Sequence, residues 1–170
     1  MALVRYETHE GVAVVTVDNP PVNALSPGVP GGIIASLKQA NADPDIVAVV
    51  LVGEGRGFIA GADIRYFSKP WPDGEPRLGD VIRAFEKSSK PVVAAIHGHA
   101  LGGGLELAMC CHYRVIVPKA KVGQPEVKLG IPPGAGGTQR LPRLAGAKAA
   151  LDMIVSGDPV TAQQAVSLGI

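Results

Sequence analysis

Cysteine is nearly missing from this chain of 170 residues; the two that occur, Cys110 and Cys111, are adjacent. Neighbouring thiols suit neither a stabilising disulfide nor a zinc site, so both kinds of staple fall away and a reducing compartment fits best. Net charge is nearly missing too, at +1, which leaves no strong field for a polyanion and argues against nucleic acid as a partner. The N-terminal stretch has no basic start, long apolar run or small-residue cleavage site, and no apolar segment reaches the length of a membrane span. Low-complexity tracts and repeats are lacking as well. These absences lead to the expectation of a soluble, cytoplasmic protein with no membrane partner. Its length suits a single domain over residues 1–170.

What is present is a regular alternation. Residues 4–8 and 12–17 are β-rich runs around His9-Glu10-Gly11, which predicts an opening hairpin. Ile33, Ile34, Leu37 and Ala40 have helical spacing, although Pro30, Gly31 and Gly32 oppose a helix in its first turn. The continuous apolar runs at 46–52 and 91–96 predict buried strands, the first covered on both faces. Between them, 68–76 holds three prolines and the only Trp and reads as a surface loop, followed by an amphipathic helix over 78–87. A short helix at 105–111, a strand at 113–117 and helices at 147–155 and 161–168 complete the chain, the last opening with a Thr161/Gln164 capping box. Interleaved apolar strands and helices make the class α/β.

Two segments share one logic. In Phe58-Ile59-Ala60-Gly61-Ala62-Asp63-Ile64, and again in His97 through Gly102-Gly103-Gly104-Leu105-Glu106, a buried strand enters a glycine-bearing turn that opens a helix. Glycine lets backbone N–H groups approach a ligand. At a helix N-terminus those donors lack partners and lie at the positive end of the dipole, so two facing turns could polarise one carbonyl oxygen. The same glycines are equally explained by close packing of helix on strand. Glu106 sits among apolar helix residues, either in a buried salt bridge with Arg114 or with a raised pKa suited to acid/base work. Glu126, in a loop-to-strand context after Gly123-Gln124-Pro125, reads on composition alone as a surface acid paired with Lys128.

A resemblance decides between these readings. Ala100-Leu101-Gly102-Gly103-Gly104-Leu105-Glu106-Leu107-Ala108, Val122-Gly123-Gln124-Pro125-Glu126 through Ile131, and Pro133-Gly134-Ala135-Gly136-Gly137-Thr138-Gln139-Arg140-Leu141 resemble the crotonase superfamily, and in particular its enoyl-CoA hydratases. Asn19 through Ser26 and Cys111 through Arg114 are more similar to the hydratase/isomerase part of multifunctional fatty-acid β-oxidation enzymes.

The resemblance implies a spiral of ββα units and an oxyanion hole made by the N–H groups of Ala62 and Gly103. Glu106 and Glu126 become the catalytic pair. Acyl-CoA contacts are implied for Val22, Ala24, Ala60, Ala62, Asp63, Ile64 and Gly103, with CoA bent over 21–24 and 60–65. Coenzyme A belongs to the substrate; no metal and no further cofactor is expected. Arg56 and Arg65 are left between CoA phosphates and solvent, and His97 and His99 are read as structural or solvent-facing. The family pattern continues past Ile170 with helices that complete the acyl pocket, here absent, and implies a homotrimer or hexamer, or a place within a multifunctional chain. Alternatives are Δ3-Δ2-enoyl-CoA isomerisation and a silent acyl-CoA-binding module.

Overall fold

A computed structural model describes residues 2–170. The chain repeats one step four times: a strand in a main sheet, a short extended piece in a second layer, then a helix. In the first step β1 (Val4–His9) and β2 (Val12–Val17) form the antiparallel hairpin, Leu25 makes an isolated bridge to Ala62, and α1 (Val29–Ala42) follows. The second step runs from β3 (Ala48–Gly53) through an Ile59–Ala100 bridge to a 3-10 turn at Ile64–Tyr66 and then α2 (Leu78–Glu86). The third is β4 (Val92–Ile96), β5 (His99–Leu101) and α3 (Gly103–Cys110). The fourth is β6 (Tyr113–Ile116), β7 (Lys121–Gly123), a 3-10 turn at Pro125–Leu129, α4 (Gly137–Ala145) and α5 (Ala147–Ser156); β8 (Val160–Thr161) and α6 (Ala162–Leu168) close it.

The main sheet has the order β1-β2-β3-β4-β6, parallel beyond the hairpin, and the second sheet the order β5-β7-β8. This is the expected α/β spiral of ββα units. Its core follows the strand period of two: Ala13, Val15 and Val17, then Val49 and Leu51, then Val92, Ala94 and Ile96 are buried. Against them lie Ile33, Leu37 and Ala40 of α1 and Val81 and Phe85 of α2, each large side chain contributing about 1.5–3 kcal/mol by leaving water. Among the described residues no helix is long and apolar enough to cross a membrane.

Several expectations need correction. The strand expected from 46 begins at Ala48, and its alternate residues are only half-buried, because helices pack on one face of the sheet and leave the other partly open. Helix α1 does include Pro30, Gly31 and Gly32. Proline is tolerated in a first turn, whose N–H groups have no intrahelical acceptor. At Gly32 an added Cβ would lie 2.7 Å from a side-chain carbon of Val4, so glycine sets how closely α1 approaches β1. Helix α4 is an addition to the expected elements; Gly137 at its start and Pro142 inside it hide the helical pattern.

The same contact logic predicts opposite signs for two Gly→Ala changes. A Cβ at Gly104 would fall 2.1 Å from the Ile59 carbonyl oxygen, and backbone cannot swing aside. Gly104→Ala should lower stability by at least about 2 kcal/mol. At Gly79, in the first turn of α2, the nearest atom is the flexible tip of Arg83 at 3.5 Å, so Gly79→Ala should add about 0.5 kcal/mol. Urea unfolding of both variants would check this, and an unchanged midpoint for Gly104→Ala would refute the close-contact account.

Candidate active site

The site begins where two stretches of backbone touch. Leu101 donates its N–H to the Ile59 carbonyl at 3.1 Å, and a Cβ on Gly61 would lie 2.9 Å from the Leu101 oxygen and 3.5 Å from the Gly103 nitrogen. Gly102, at φ 51, sends its N–H to the Gly123 carbonyl at 2.9 Å. Gly103 then opens α3, where its N–H has no intrahelical acceptor. A Cβ on Gly103 would stand 3.5 Å from the Ala62 nitrogen. Ala62 and Gly103 therefore present neighbouring backbone nitrogens to one cavity of about 290 Å³, which Glu106 and Glu126 also line.

Only one of the two glycine turns opens an α-helix directly. After Ala62 the chain makes a three-residue 3-10 turn capped by Asp63, and α2 waits until Leu78 because Pro70, Pro72 and Pro76 interrupt helix formation. The dipole contribution at this cavity therefore comes from α3.

Glu106 lies one turn into α3 and is 2 % exposed. Its Oε1 accepts N–H bonds from Ala135 and Gly137, each at 2.7 Å. Burial pushes its carboxyl up, while the bonds from Gly137 and Ala135 and the Arg140 charge pull it down. The salt bridge with Arg114 is not formed; Arg114 donates instead to the Cys111 carbonyl at 3.3 Å. Arg140 bonds to the Ala135 carbonyl at 3.4 Å and pairs with Glu86, which steadies the loop holding Glu106.

Glu126 sits in the 3-10 turn rather than at the entry to a strand, and is buried. Burial pushes its carboxyl up to about 7, its own backbone N–H pulls the other way, and the Glu106 charge adds to the rise. The pairing with Lys128 is not found, since Lys128 bonds to Asp158 at 2.7 Å. Gln124, fully buried and not singled out by the sequence pattern, is the neighbour that matters. With its amide nitrogen turned toward Glu126 it donates to both carboxylate oxygens at 3.0 Å. The only hint in the sequence is a polar amide held between Gly123 and Pro125 at the end of a buried strand.

A second cavity, of about 440 Å³, is lined by Asn19, Val22, Ala24, Ala60, Ala62, Ile64 and Arg65. It joins the two segments expected to carry CoA. Asp63 borders it but is 5 % exposed, with both carboxylate oxygens already bonded: Arg65 donates at 2.9 and 2.7 Å and Ser26 at 2.8 Å. The Arg65 guanidinium and these hydrogen bonds hold the Asp63 carboxyl well below the usual range. Arg65 itself remains largely exposed. Arg56 and His99 line a smaller hollow beside Pro21 and Val22, and the His97 ring nitrogen lies 3.1 Å from the Gly55 carbonyl oxygen, so neither histidine joins the glutamates. A further cavity of about 500 Å³ carries Tyr66, Trp71, Lys69 and Arg77, residues to which the sequence pattern assigns no role. Among the described residues no group of three or more His, Cys, Asp or Glu side chains could hold a metal ion.

A family model described as enoyl-CoA hydratase/isomerase matches residues 7–170. A "Peroxisomal bifunctional enzyme" of Danio rerio is 52% identical over 169 residues, covering 99% of this chain and 23% of the relative. A "Probable enoyl-CoA hydratase" of Bacillus subtilis is 45% identical over 94% of this chain and 64% of its own length. The crystal structure of an enoyl-CoA hydratase subunit I from Geobacillus kaustophilus superposes with a TM-score of 0.90 at 37% identity, over 99% of this chain and 66% of that one. This chain thus spans about a quarter of the length of the bifunctional relatives. They also overturn the expected cytoplasmic location, since relatives at 50% to 52% identity are named as peroxisomal enzymes. Composition does not register such a location, because peroxisomal targeting is a short receptor-read address. With the match extending over nearly the whole sequence and the spiral fold agreeing with it, the chain belongs to the enoyl-CoA hydratase/isomerase family.

Proposed function

We propose that this chain is the hydratase/isomerase core of a longer fatty-acid β-oxidation protein, and that it adds water across the C2–C3 double bond of a 2-enoyl-CoA to give a 3-hydroxyacyl-CoA. One observation carries the reading: two carboxylates in different environments, Glu106 and Glu126, face the same cavity as the paired nitrogens of Ala62 and Gly103. The relatives support it as well, through near-complete coverage of this chain against a fraction of theirs.

The thioester oxygen accepts hydrogen bonds from Ala62 and Gly103, which stabilise enolate character as a nucleophile adds at C3. Each such donor in a water-poor site lowers the barrier by about 3 kcal/mol. The glutamates divide the proton work according to their surroundings. Glu106, its Oε1 held by two N–H donors, is the better carboxylate, so it takes a proton from the water that bonds to C3. Glu126, pushed to about 7, still carries its proton in part of the molecules at neutral pH and in that form delivers it to C2. One water is consumed, and the proton gained by Glu106 returns to Glu126 before the next turnover. CoA lies over 21–24 and 60–65, with Val22, Ala24, Ala60 and Ile64 against it and Arg65 within the same cavity for its phosphates. A homotrimer or hexamer of the longer protein, or a multifunctional chain, is the assembly proposed.

In the full-length protein, Glu106→Gln and Glu126→Gln should each slow crotonyl-CoA hydration at least about a hundredfold, and Gly103→Pro, which removes a donor, should abolish it even in protein that circular dichroism shows to be folded. Near wild-type hydration in any folded variant, or isomerisation of a 3-enoyl-CoA with no hydration, would overturn the assignment.

The raised Glu126 pKa also bears on stability. A carboxyl whose folded pKa exceeds its unfolded value binds its proton more tightly when folded, so its contribution is full at low pH and is lost as pH rises from the ordinary carboxylate range through about 7. Glu126→Gln should therefore gain on wild type, on the order of 2 kcal/mol, between pH 5 and pH 8. Urea titrations at the two pH values would measure the difference, and a constant gap would refute it.

A further inference from the structure

We propose that Asp63 is a positioning residue that fixes the direction of the Ala62 N–H by tying the 19–26 turn to the oxyanion strand. This rests on the reading of Ala62 as an oxyanion donor. The peptide joining Gly61 to Ala62 is a planar unit whose C=O and N–H point in opposite directions. Its carbonyl accepts from Leu25 N–H at 2.8 Å. So long as Leu25 stays there, the Ala62 N–H is turned away from the 19–26 turn. What keeps Leu25 in place is the next residue: Ser26 Oγ donates to Asp63 Oδ2 at 2.8 Å, in a buried contact between residues far apart in sequence.

The turn is braced from behind as well. Asn19 donates from Nδ2 to Ser26 Oγ at 2.9 Å and to the Ala24 carbonyl at 2.7 Å. Asn23, at φ 55, accepts from Asn19 N–H at 2.9 Å and donates to the carbonyls of Glu54 at 2.8 Å and Gly57 at 2.9 Å. Asp63 is the one member of this network adjacent in sequence to Ala62. It has no capacity left for substrate, because Arg65 occupies Oδ1 through its backbone N–H at 3.1 Å and Nε at 2.9 Å, and shares Oδ2 through Nη2 at 2.7 Å. Bonds to an ionised acceptor are about twice as strong as neutral ones, which suits a fixture rather than a contact that comes and goes.

Asp63→Asn turns one acceptor into a donor facing Ser26 or Arg65, and Ser26→Ala removes the hydroxyl between Asn19 and Asp63. The probe is a 2,4-dienoyl-CoA, whose conjugated absorption moves to longer wavelength when its thioester oxygen is polarised. In the full-length protein, Asp63→Asn should lose at least half of that shift and reduce kcat for crotonyl-CoA about tenfold to a hundredfold with KM little changed, the scale expected for a misdirected group at a reacting centre. Ser26→Ala should move both readouts the same way by less, and it carries the test if Asp63→Asn does not fold. Variants with lower Tm but a full spectral shift and wild-type kcat would make the network merely structural and overturn the inference. A wild-type protein that binds the dienoyl-CoA with no shift would instead overturn the oxyanion reading of Ala62, and this inference with it.

Discussion

The closeness of two backbone segments, 59–62 and 101–104, governs the rest of this molecule. Side chains normally hold neighbouring segments apart; here Gly61 and Gly104 remove them, and the chain packs carbonyl against Cα. That contact links the second and third steps of the spiral through the Ile59–Ala100 bridge. It also brings the Ala62 and Gly103 nitrogens side by side and sets the origin of α3, and hence the position of Glu106. Packing and chemistry are therefore not competing accounts of the glycine triplet. Gly104 serves the first, Gly103 is the one proposed for the second, and Gly102 turns the chain between β5 and α3 while leaving room for the Glu126 carboxylate, which a Cβ there would meet at 2.8 Å.

Two carboxyl groups share one cavity, and the fold treats them differently. Desolvation raises both carboxyls, but only Glu106 is given two backbone donors on one oxygen. Those donors belong to the loop between Pro133 and Gly137, whose glycines carry no side chain to block the approach; a Cβ on Gly137 would lie 2.9 Å from Glu106 Oε1. Glu126 has instead the amide of Gln124, a group able to donate or accept according to how it is turned. The asymmetry is thus built from two loop N–H donors on one side and from burial without such a pair on the other.

Much of this is legible in the amino-acid sequence. The hairpin, the strand at 91–96, the amphipathic α2 and the Thr161 capping box follow from local pattern, because each has a period or a cap confined to a few neighbouring residues. The glutamates and the Ala62–Gly103 pair follow from motif resemblance, and the geometry groups them around one cavity. What escapes a linear reading is non-local. The short strands β5, β7 and β8 have too few residues to show alternation, and their pairing is visible only once the spiral stacks. Helix α4 is masked by Pro142. The partners of Glu106 are peptide N–H groups, which no residue type advertises. Asp63 reads as a ligand contact because its bonds to Ser26 and Arg65 cannot be inferred from spacing.

The bonds from Ala135 and Gly137 to Glu106 also make one step of the spiral depend on the next. They join residues 29 and 31 positions apart, so while a nascent chain reaches only α3, its glutamate has neither donor. An apolar helix carrying an unsolvated, unbonded carboxylate is costly to bury, and α3 gains its full reason to stay inside only when Gly137 has emerged. A domain generally folds as a unit, so the third step of the spiral is complete only together with the fourth. The charge arrangement of the cavity thus belongs to the third and fourth steps jointly: α3 supplies the carboxylate, and the segment that opens α4 supplies the donors that orient it.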